Sequence, residues 1–144
     1  MKKITLMLVL AMAANMGFAA DIAPPVPTNT PMDTARAQIA KKDWTGAVAT
    51  LEPYTKANAK SADGFNLLGY SYRNLKRYDE SFAAYKQALT LDPKHRGAHE
   101  YIGVAYVQTK QIDKAREHLA ALEKICGQRC EEYQDLKKAI GAAK

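Results

Sequence analysis

The stretch Leu68–Pro93, LGYSYRNLKRYDESFAAYKQALTLDP, decides the fold. Its glycine, tyrosines and small residues fall at uneven intervals and then stop at a proline. Shifting the segment Ala62–His95 forward by 34 residues lays it on Arg96–Arg129. Leu68 then falls on Ile102, Gly69 on Gly103, Tyr72 on Tyr106, Tyr78 on Ile112, Ser81 on Ala115 and Tyr85 on Leu119. Shifting it backward puts Gly69 on Ala35, Tyr78 on Trp44, Ser81 on Ala47 and Tyr85 on Leu51. Small stays small and bulky stays bulky across three copies. A period of this length marks a stacked repeat array.

Each copy reads as two helices. In the middle unit the first runs from about Ala62 to Asn74, with Phe65, Leu68, Gly69 and Tyr72 on one face at helical spacing. The second runs from about Tyr78 to Thr90, with Tyr78, Ser81, Phe82, Tyr85, Ala88 and Leu89 facing inward. Asp92 and Pro93 are expected to open the next helix, as cap and first-turn proline. A glycine inside a helix costs roughly 0.5–1 kcal/mol against alanine. Gly69 therefore implies a neighbour too close for a side chain, with Ser81 the expected one; Gly103 with Ala115, and Ala35 with Ala47, repeat the meeting. Outside the middle unit, helices are expected at about Asp33–Lys41, Trp44–Asn58, Lys94–Gln108 and Ile112–Ile125. A last one, about Glu131–Ile140, carries Tyr133, Leu136 and Ile140 as a stripe able to cover the end of the stack.

These residues resemble the tetratricopeptide repeat family. The middle unit matches its pattern with Phe65, Leu68, Gly69, Tyr72, Ser81, Tyr85, Ala88 and Pro93. The third matches with Ile102, Gly103, Tyr106, Ala115 and Leu119, and departs at His99, Leu122 and Gly127. The first has a weak opening helix, with Pro31, Thr34, Ala35 and Gln38 at the pattern positions, but a convincing second one. The resemblance covers roughly Thr28–Arg129 and implies an all-α solenoid of antiparallel helix pairs with a C-terminal capping helix. Its units would span about 28–61 (partial), 62–95 and 96–129, and the cap 130–141, within a domain of residues 32–141.

The N-terminus has a different character. Lys2 and Lys3 precede an apolar run from Ile4 to Ala14, then Gly17 and Ala19 supply the small side chains of a cleavage site. This is the layout of a secretory signal peptide over residues 1–19. The apolar run is short for a membrane span, which needs about 20 residues, so no stable insertion is expected after cleavage. The product, about 125 residues, would be a small exported protein of a bacterial periplasm or beyond. Residues 20–31, with Pro24, Pro25, Pro27 and Pro31, read as an extended leader. Thr30, Pro31 and Asp33 then form a plausible capped helix start. The formal charge of +6 drops by two when Lys2 and Lys3 leave, and no dense basic block stands out, so no nucleic-acid partner is implied.

Cys126 and Cys130 are the only cysteines. In an exported chain a disulfide is the default. A continuous helix would hold their Cβ atoms too far apart for a bridge, so Gly127 is expected to break the helix and let the sulfurs meet. Thiol exchange and metal binding are the weaker alternatives: a redox pair usually has two intervening residues, and here there are three. His95 and His99 have metal-ligand spacing, but HRGAHE lacks the HExxH order. There is no Gly-rich phosphate loop and no Gly-x-Ser-x-Gly elbow in this sequence. No catalytic residue, metal or cofactor is therefore expected.

A binding surface is more natural. The first helices of a repeat stack line its concave side. There the middle unit offers Asp63, Asn66, Tyr70, Arg73 and Asn74, and the third Glu100, Val104, Val107 and Gln108. The expectation is an aromatic and aliphatic strip of Tyr70, Val104 and Val107, rimmed by polar groups and suited to a peptide or helix. The alternative packing role has the same side chains lying between units or against the leader. The family's clamp for acidic peptide tails needs a Lys, Asn and Arg set of which Asn66 and Arg73 are only a fragment. The function implied is a non-catalytic adaptor for an unnamed protein or peptide. The alternatives are a self-associating envelope accessory and, less favoured, a small metal-binding or thiol-active protein.

Overall fold

The structure is a computed structural model, and it describes residues 30–143. The expected signal peptide and the part of the expected leader before Thr30 lie outside these residues. Seven helices follow one another: α1 (Pro31–Ala40), α2 (Trp44–Ala57), α3 (Ala62–Asn74), α4 (Tyr78–Leu91), α5 (Arg96–Gln108), α6 (Ile112–Cys126) and α7 (Glu131–Ala142). No strand occurs among the described residues.

Local chemistry sets where the helices begin. Thr30 and Asp33 form a reciprocal capping box, each side chain accepting the other's backbone N–H at 3.1 Å. Pro31 occupies the first turn, so α1 starts two residues earlier than expected. Asp43 caps α2 by accepting from Gly46 N at 2.9 Å, and Ser61 caps α3 by accepting from Gly64 N at 3.1 Å. The start of α5 corrects the reading of Asp92 and Pro93. Asp92 ends α4, its carboxylate accepts from Lys94 N, and Pro93 sits in the turn. The cap is His95, whose Nδ1 accepts from Ala98 N at 3.1 Å. Proline two residues ahead of a capping side chain still separates the helices, so the repeat break falls where the sequence indicated.

The turns inside the units are built alike. Lys42, Lys76 and Lys110, spaced by the repeat, all have left-handed backbones, with φ of 59°, 60° and 61°. Each turn closes with the same pair of bonds, Lys76 N to Arg73 O and Arg77 N to Tyr72 O in the middle unit. These bonds satisfy carbonyls left open at the helix end.

Packing defines two walls. The odd helices touch in succession, α1 to α3 to α5 to α7, whereas the even helices each wedge between their chain neighbours and do not meet one another. In a curved stack the helices that meet form the inner wall. The core follows this order. Ala35, Ala47, Val48, Leu51, Leu68, Tyr72 and Ala84 form its first part. Tyr85, Ile102, Ala105, Tyr106 and Ala115 form the second, and Leu122, Tyr133 and Leu136 seal the end. Of the inward positions expected on α4, Tyr78, Phe82 and Leu89 are only half-buried, and Ala84 takes a buried place instead.

The two glycines are enclosed, but by other neighbours than expected. A Cβ on Gly69 would lie 2.7 Å from the ring of Tyr85, and Ser81 instead donates its hydroxyl to the Gly69 carbonyl at 2.9 Å. A Cβ on Gly103 would lie 2.5 Å from a methyl of Leu136 on α7, so the third unit's glycine serves the cap rather than Ala115.

At the junction of α6 and α7 the Cys126 and Cys130 sulfurs are bonded. Gly127 takes φ 79°, a left-handed turn open to glycine, and breaks the helix between them. No helix among the described residues is long and apolar enough to cross a membrane.

Candidate functional site

The inner wall of α3, α5 and α7 gathers most of the singled-out side chains, in an arrangement that departs from an open strip. Tyr70 is half-buried. Its ring meets Trp44 edge-on at 5.7 Å and Tyr101 at 4.9 Å. Val107 packs against the second core cluster and Val104 against the sealing cluster under α7. The strip of Tyr70, Val104 and Val107 is therefore mostly inter-unit packing. A helical wheel of one unit cannot show this, because covering side chains come from the units on either side or from the cap. Asn74 is half-buried and gives its amide N–H to Tyr70 O at 2.8 Å. Among these positions Asp63 and Gln108 are the exposed ones.

The polar part of the wall is unusual. Asn66, expected to point outward, is only 6% exposed, and its Oδ1 has no hydrogen-bond partner. The helix start of α5 approaches α3 here: a Cβ on Gly97 would lie 3.4 Å from Asn66 Nδ2. Arg73 places its guanidinium 5.0 Å from the Tyr70 ring centre and 6.0 Å from that of Tyr101. These are cation–π distances, and its Nε is buried without an acceptor. The Tyr85 hydroxyl is likewise buried without a well-aligned hydrogen bond, with Arg73 and Ser81 as its polar neighbours. Buried polar atoms are nearly always paired; Asn66 Oδ1 has no polar neighbour of its own here, whereas Arg73 and Tyr85 adjoin each other. Tyr101 was missed in the sequence; it corresponds to Leu67 in the repeat, so no period marked it.

Next to this group Glu100 is half-buried. Burial first, then the carboxylates of Asp135 and Glu132, push its carboxyl up to about 7, against the pull of Arg73. Glu132 is shared with Arg96 at 3.4 Å, and Asp63 faces His95 Nε2 at 2.9 Å.

The histidines do not form the spaced pair the sequence raised. His95 is the α5 cap, and His99 turns to His118 on α6 with Nδ1 to Nδ1 at 2.9 Å. His99 Nε2 donates to the Pro93 carbonyl at 3.0 Å, which leaves His99 Nδ1 to accept from His118. Burial and the facing His99 push His118 down to about 4. Among the described residues one trio of possible metal ligands converges, Cys126, Cys130 and Glu132, and its sulfurs are spent on their own bond.

Between α3 and α4, Phe65, Leu68, Tyr72, Ala83 and Ala84, with Glu80 and Gln87 at the edge, line a groove of about 420 Å³. Phe65 was expected inward; it is half-buried at this groove.

An all-α solenoid with an inner wall of odd helices and a sealing last helix defines the class. Two models of the tetratricopeptide repeat match, over residues 32–95 and 74–140, and the chain belongs to that family. Among curated proteins none matches. Among solved structures it is similar to the TPR2B domain of yeast Sti1 in a pHsp70 complex, with 19% identity and a TM-score of 0.72. The Arabidopsis OM64 TPR domain is similar at 16% identity and 0.71; in both cases 78% of this chain and 92% of the other are covered. A chain of the CopN–Scc3 complex follows at 20% identity and 0.64, covering 78% of this chain and 65% of that one. At these identities the likeness is one of fold. The family and these neighbours make the chain a protein–protein interaction module in general terms.

Proposed function

We propose that this module is a non-catalytic adaptor that holds a peptide or helix against the inner wall of α3 and α5, and that it works in the periplasm after export by residues 1–19. One observation carries the binding face: Arg73 lays its guanidinium on the rings of Tyr70 and Tyr101, 5.0 and 6.0 Å from their centres, and so joins α3 to α5 in one cationic and aromatic surface. Arg73, held between Tyr70 and Tyr101, and exposed Gln108 lie along the same wall. The export reading is supported by the charge and hydropathy layout of residues 1–19 and by the bonded cysteine pair.

Affinity capture from envelope extract tests the face. The native protein is expected to retain a defined partner, and Arg73→Glu to lose it; the change also removes the contacts to Tyr70 and Tyr101, so its melting temperature is expected to fall, and capture is carried out below it where circular dichroism shows a folded chain. Retention of every partner by a folded Arg73→Glu protein would reject the inner wall. The groove between α3 and α4 favours a second reading, self-association through half-buried Phe65 and the exposed rim of Ala83 and Gln87. Sedimentation showing one monomeric mass over a wide concentration range would remove it.

A further inference from the structure

All three histidines of the chain gather where the second unit meets the third. Their repeat counterparts carry no titrating group: His95, His99 and His118 stand 34 residues after Ser61, Phe65 and Ala84. In the middle unit the Ser61 hydroxyl caps α3, accepting from Gly64 N at 3.1 Å. In the third the same duty falls to a ring. His95 Nδ1 accepts from Ala98 N at 3.1 Å, and its Nε2–H points to Asp63 Oδ1 at 2.9 Å. One turn on, His99 Nε2 donates to Pro93 O at 3.0 Å, in the turn that separates the units. His99 Nδ1 meets His118 Nδ1 of α6 at 2.9 Å. The start of α5 is thus tied down by imidazoles, to its own backbone and to its neighbour.

These bonds limit how many protons the joint can hold. An imidazolium donates at both nitrogens and has no acceptor. A charged His95 keeps Asp63 but gives up the Ala98 N–H, and α5 loses its cap. The contact between His99 and His118 needs one donor and one acceptor, so the pair holds one added proton at most; a second sets N–H against N–H. The positive end of the α5 dipole also disfavours a cation in its first turn. Among the described residues no carboxylate lies within 4.0 Å of His99 or His118. Burial and the facing His99 push His118 down to about 4. The other groups nearby do not replace the lost bonds. Beside His95 stand Asp92 and Lys94 of the turn, Arg96, and Glu132 of α7, which Arg96 holds at 3.4 Å. Beside His118 stands the Tyr106 ring, stacked at 5.7 Å, with Lys114 5.3 Å from that ring, Phe82 of α4 stacked on it and Glu117 adding a negative field. Glu100, half-buried on the same helix, holds its proton more tightly when folded, so acid favours it and hides the histidines in the stability of the whole chain.

We infer that the joint between the second and third units is a proton-operated hinge: acid removes the α5 cap and the histidine link from α5 to α6 together, so the start of α5 loosens while that of α3 stays closed. Histidine suits this because its charge ordinarily changes between about pH 5 and 8, where a serine cap is inert. Tyr101 lies two residues beyond His99 and shares the Arg73 guanidinium with Tyr70, so the hinge reaches the inner wall. The inference concerns the joint itself and stands or falls apart from any partner on that wall.

The test compares the two helix starts within one molecule. Hydrogen exchange read by mass spectrometry is run on the purified protein from about pH 7.5 to about 4.5, with intrinsic exchange corrected at each pH. Protection across His99–Gly103 is expected to fall about tenfold relative to the counterpart stretch Phe65–Gly69. His95→Ser with His118→Ala, which writes the middle unit's residues into the third, is expected to abolish that relative fall. Should the double variant melt too low for exchange, His95→Ser alone keeps a cap through its hydroxyl and is expected to remove about half of the fall on a logarithmic scale. Histidines with only a packing role would change protection equally at both ends of the pH range, and that result overturns the hinge. So does a fall shared equally by both stretches. A relative fall that survives the substitutions also overturns it, and would place the response on carboxylates such as Asp63, Glu100 or Glu132. Ring nitrogen NMR shifts at about pH 7.5 give a separate check: His95 is expected to show a bare Nδ1 and His118 a protonated one, and a cationic His95 there overturns the reading of the cap.

Discussion

Gly69 and Gly103 hold the same place in successive units, yet different parts of the molecule press on them. Against Gly69 lies the ring of Tyr85, fully buried on the second helix of the same unit. Against Gly103 lie the methyls of Leu136, on a helix that belongs to no repeat. An aromatic ring wedged in a core has nowhere to turn, whereas branched methyls at the end of the stack can move with α7. One repeat position therefore guards a unit's integrity in one copy and the docking of the cap in the next.

That contrast is most severely tested by leucine. Gly69→Leu is expected to cost more than about 3 kcal/mol in urea unfolding, since overpacking here displaces the fully buried ring of Tyr85 rather than a flexible tip. Gly103→Leu is expected to cost about 2 kcal/mol, and its mark should be local. Amide exchange should rise first in Glu131–Ala142 while α1 to α4 keep their protection. Equal costs with equal loss of protection along the chain would show that the two glycines do the same job.

The sequence made the glycines visible and hid their neighbours. A helix interior disfavours glycine, so its presence signals close approach, but the identity of the approaching side chain depends on how units lean on each other. The same limit explains the wall. All seven helices, the Gly127 break and the bonded cysteines were legible from periodicity and turn chemistry. Asn66 was read as exposed because one unit's wheel does not contain Gly97 of the next. Val104 was read as an open surface because α7 had been placed only as a generic cap. The paired His99 and His118 lie on different helices at unrelated intervals, and no spacing rule joins them. The left-handed Lys42, Lys76 and Lys110 are another matter: their recurrence at the repeat period was in plain view, and only the habit of reserving such turns for glycine concealed it.

The two units also differ in how they answer pH. Glu100 and His118 belong to the third unit; their counterparts in the middle unit, Asn66 and Ala84, do not titrate. Glu100, raised to about 7, binds its proton more tightly in the folded chain, so its effect lowers stability as pH rises from about 4.5 to 7. His118, lowered to about 4, resists its proton in the folded chain, so its effect raises stability as pH climbs from about 4 to 6.5. Each is worth about 2 kcal/mol after allowance for solvent screening. The opposing slopes should nearly cancel in the native protein. Glu100→Gln should uncover a rise of about 2 kcal/mol between pH 4.5 and 6.5, and His118→Asn a fall of similar size. Two variants with the same profile as the parent would show that neither group is perturbed.

The smallest effect belongs where the units are alike. Lys76 and Lys110 close their turns with φ of 60° and 61° and with matching backbone bonds. A left-handed backbone strains any residue with a Cβ by about 1–2 kcal/mol, and glycine escapes this at the expense of a freer unfolded chain. Lys76→Gly and Lys110→Gly are therefore each expected to raise stability by about 0.5–1 kcal/mol, and by the same amount within error. Both lysines are exposed, so lost packing does not confuse the reading. A gain at one turn and a loss at the other would mean that the likeness of the two units ends at their backbones, and that one lysine side chain has work of its own at the surface.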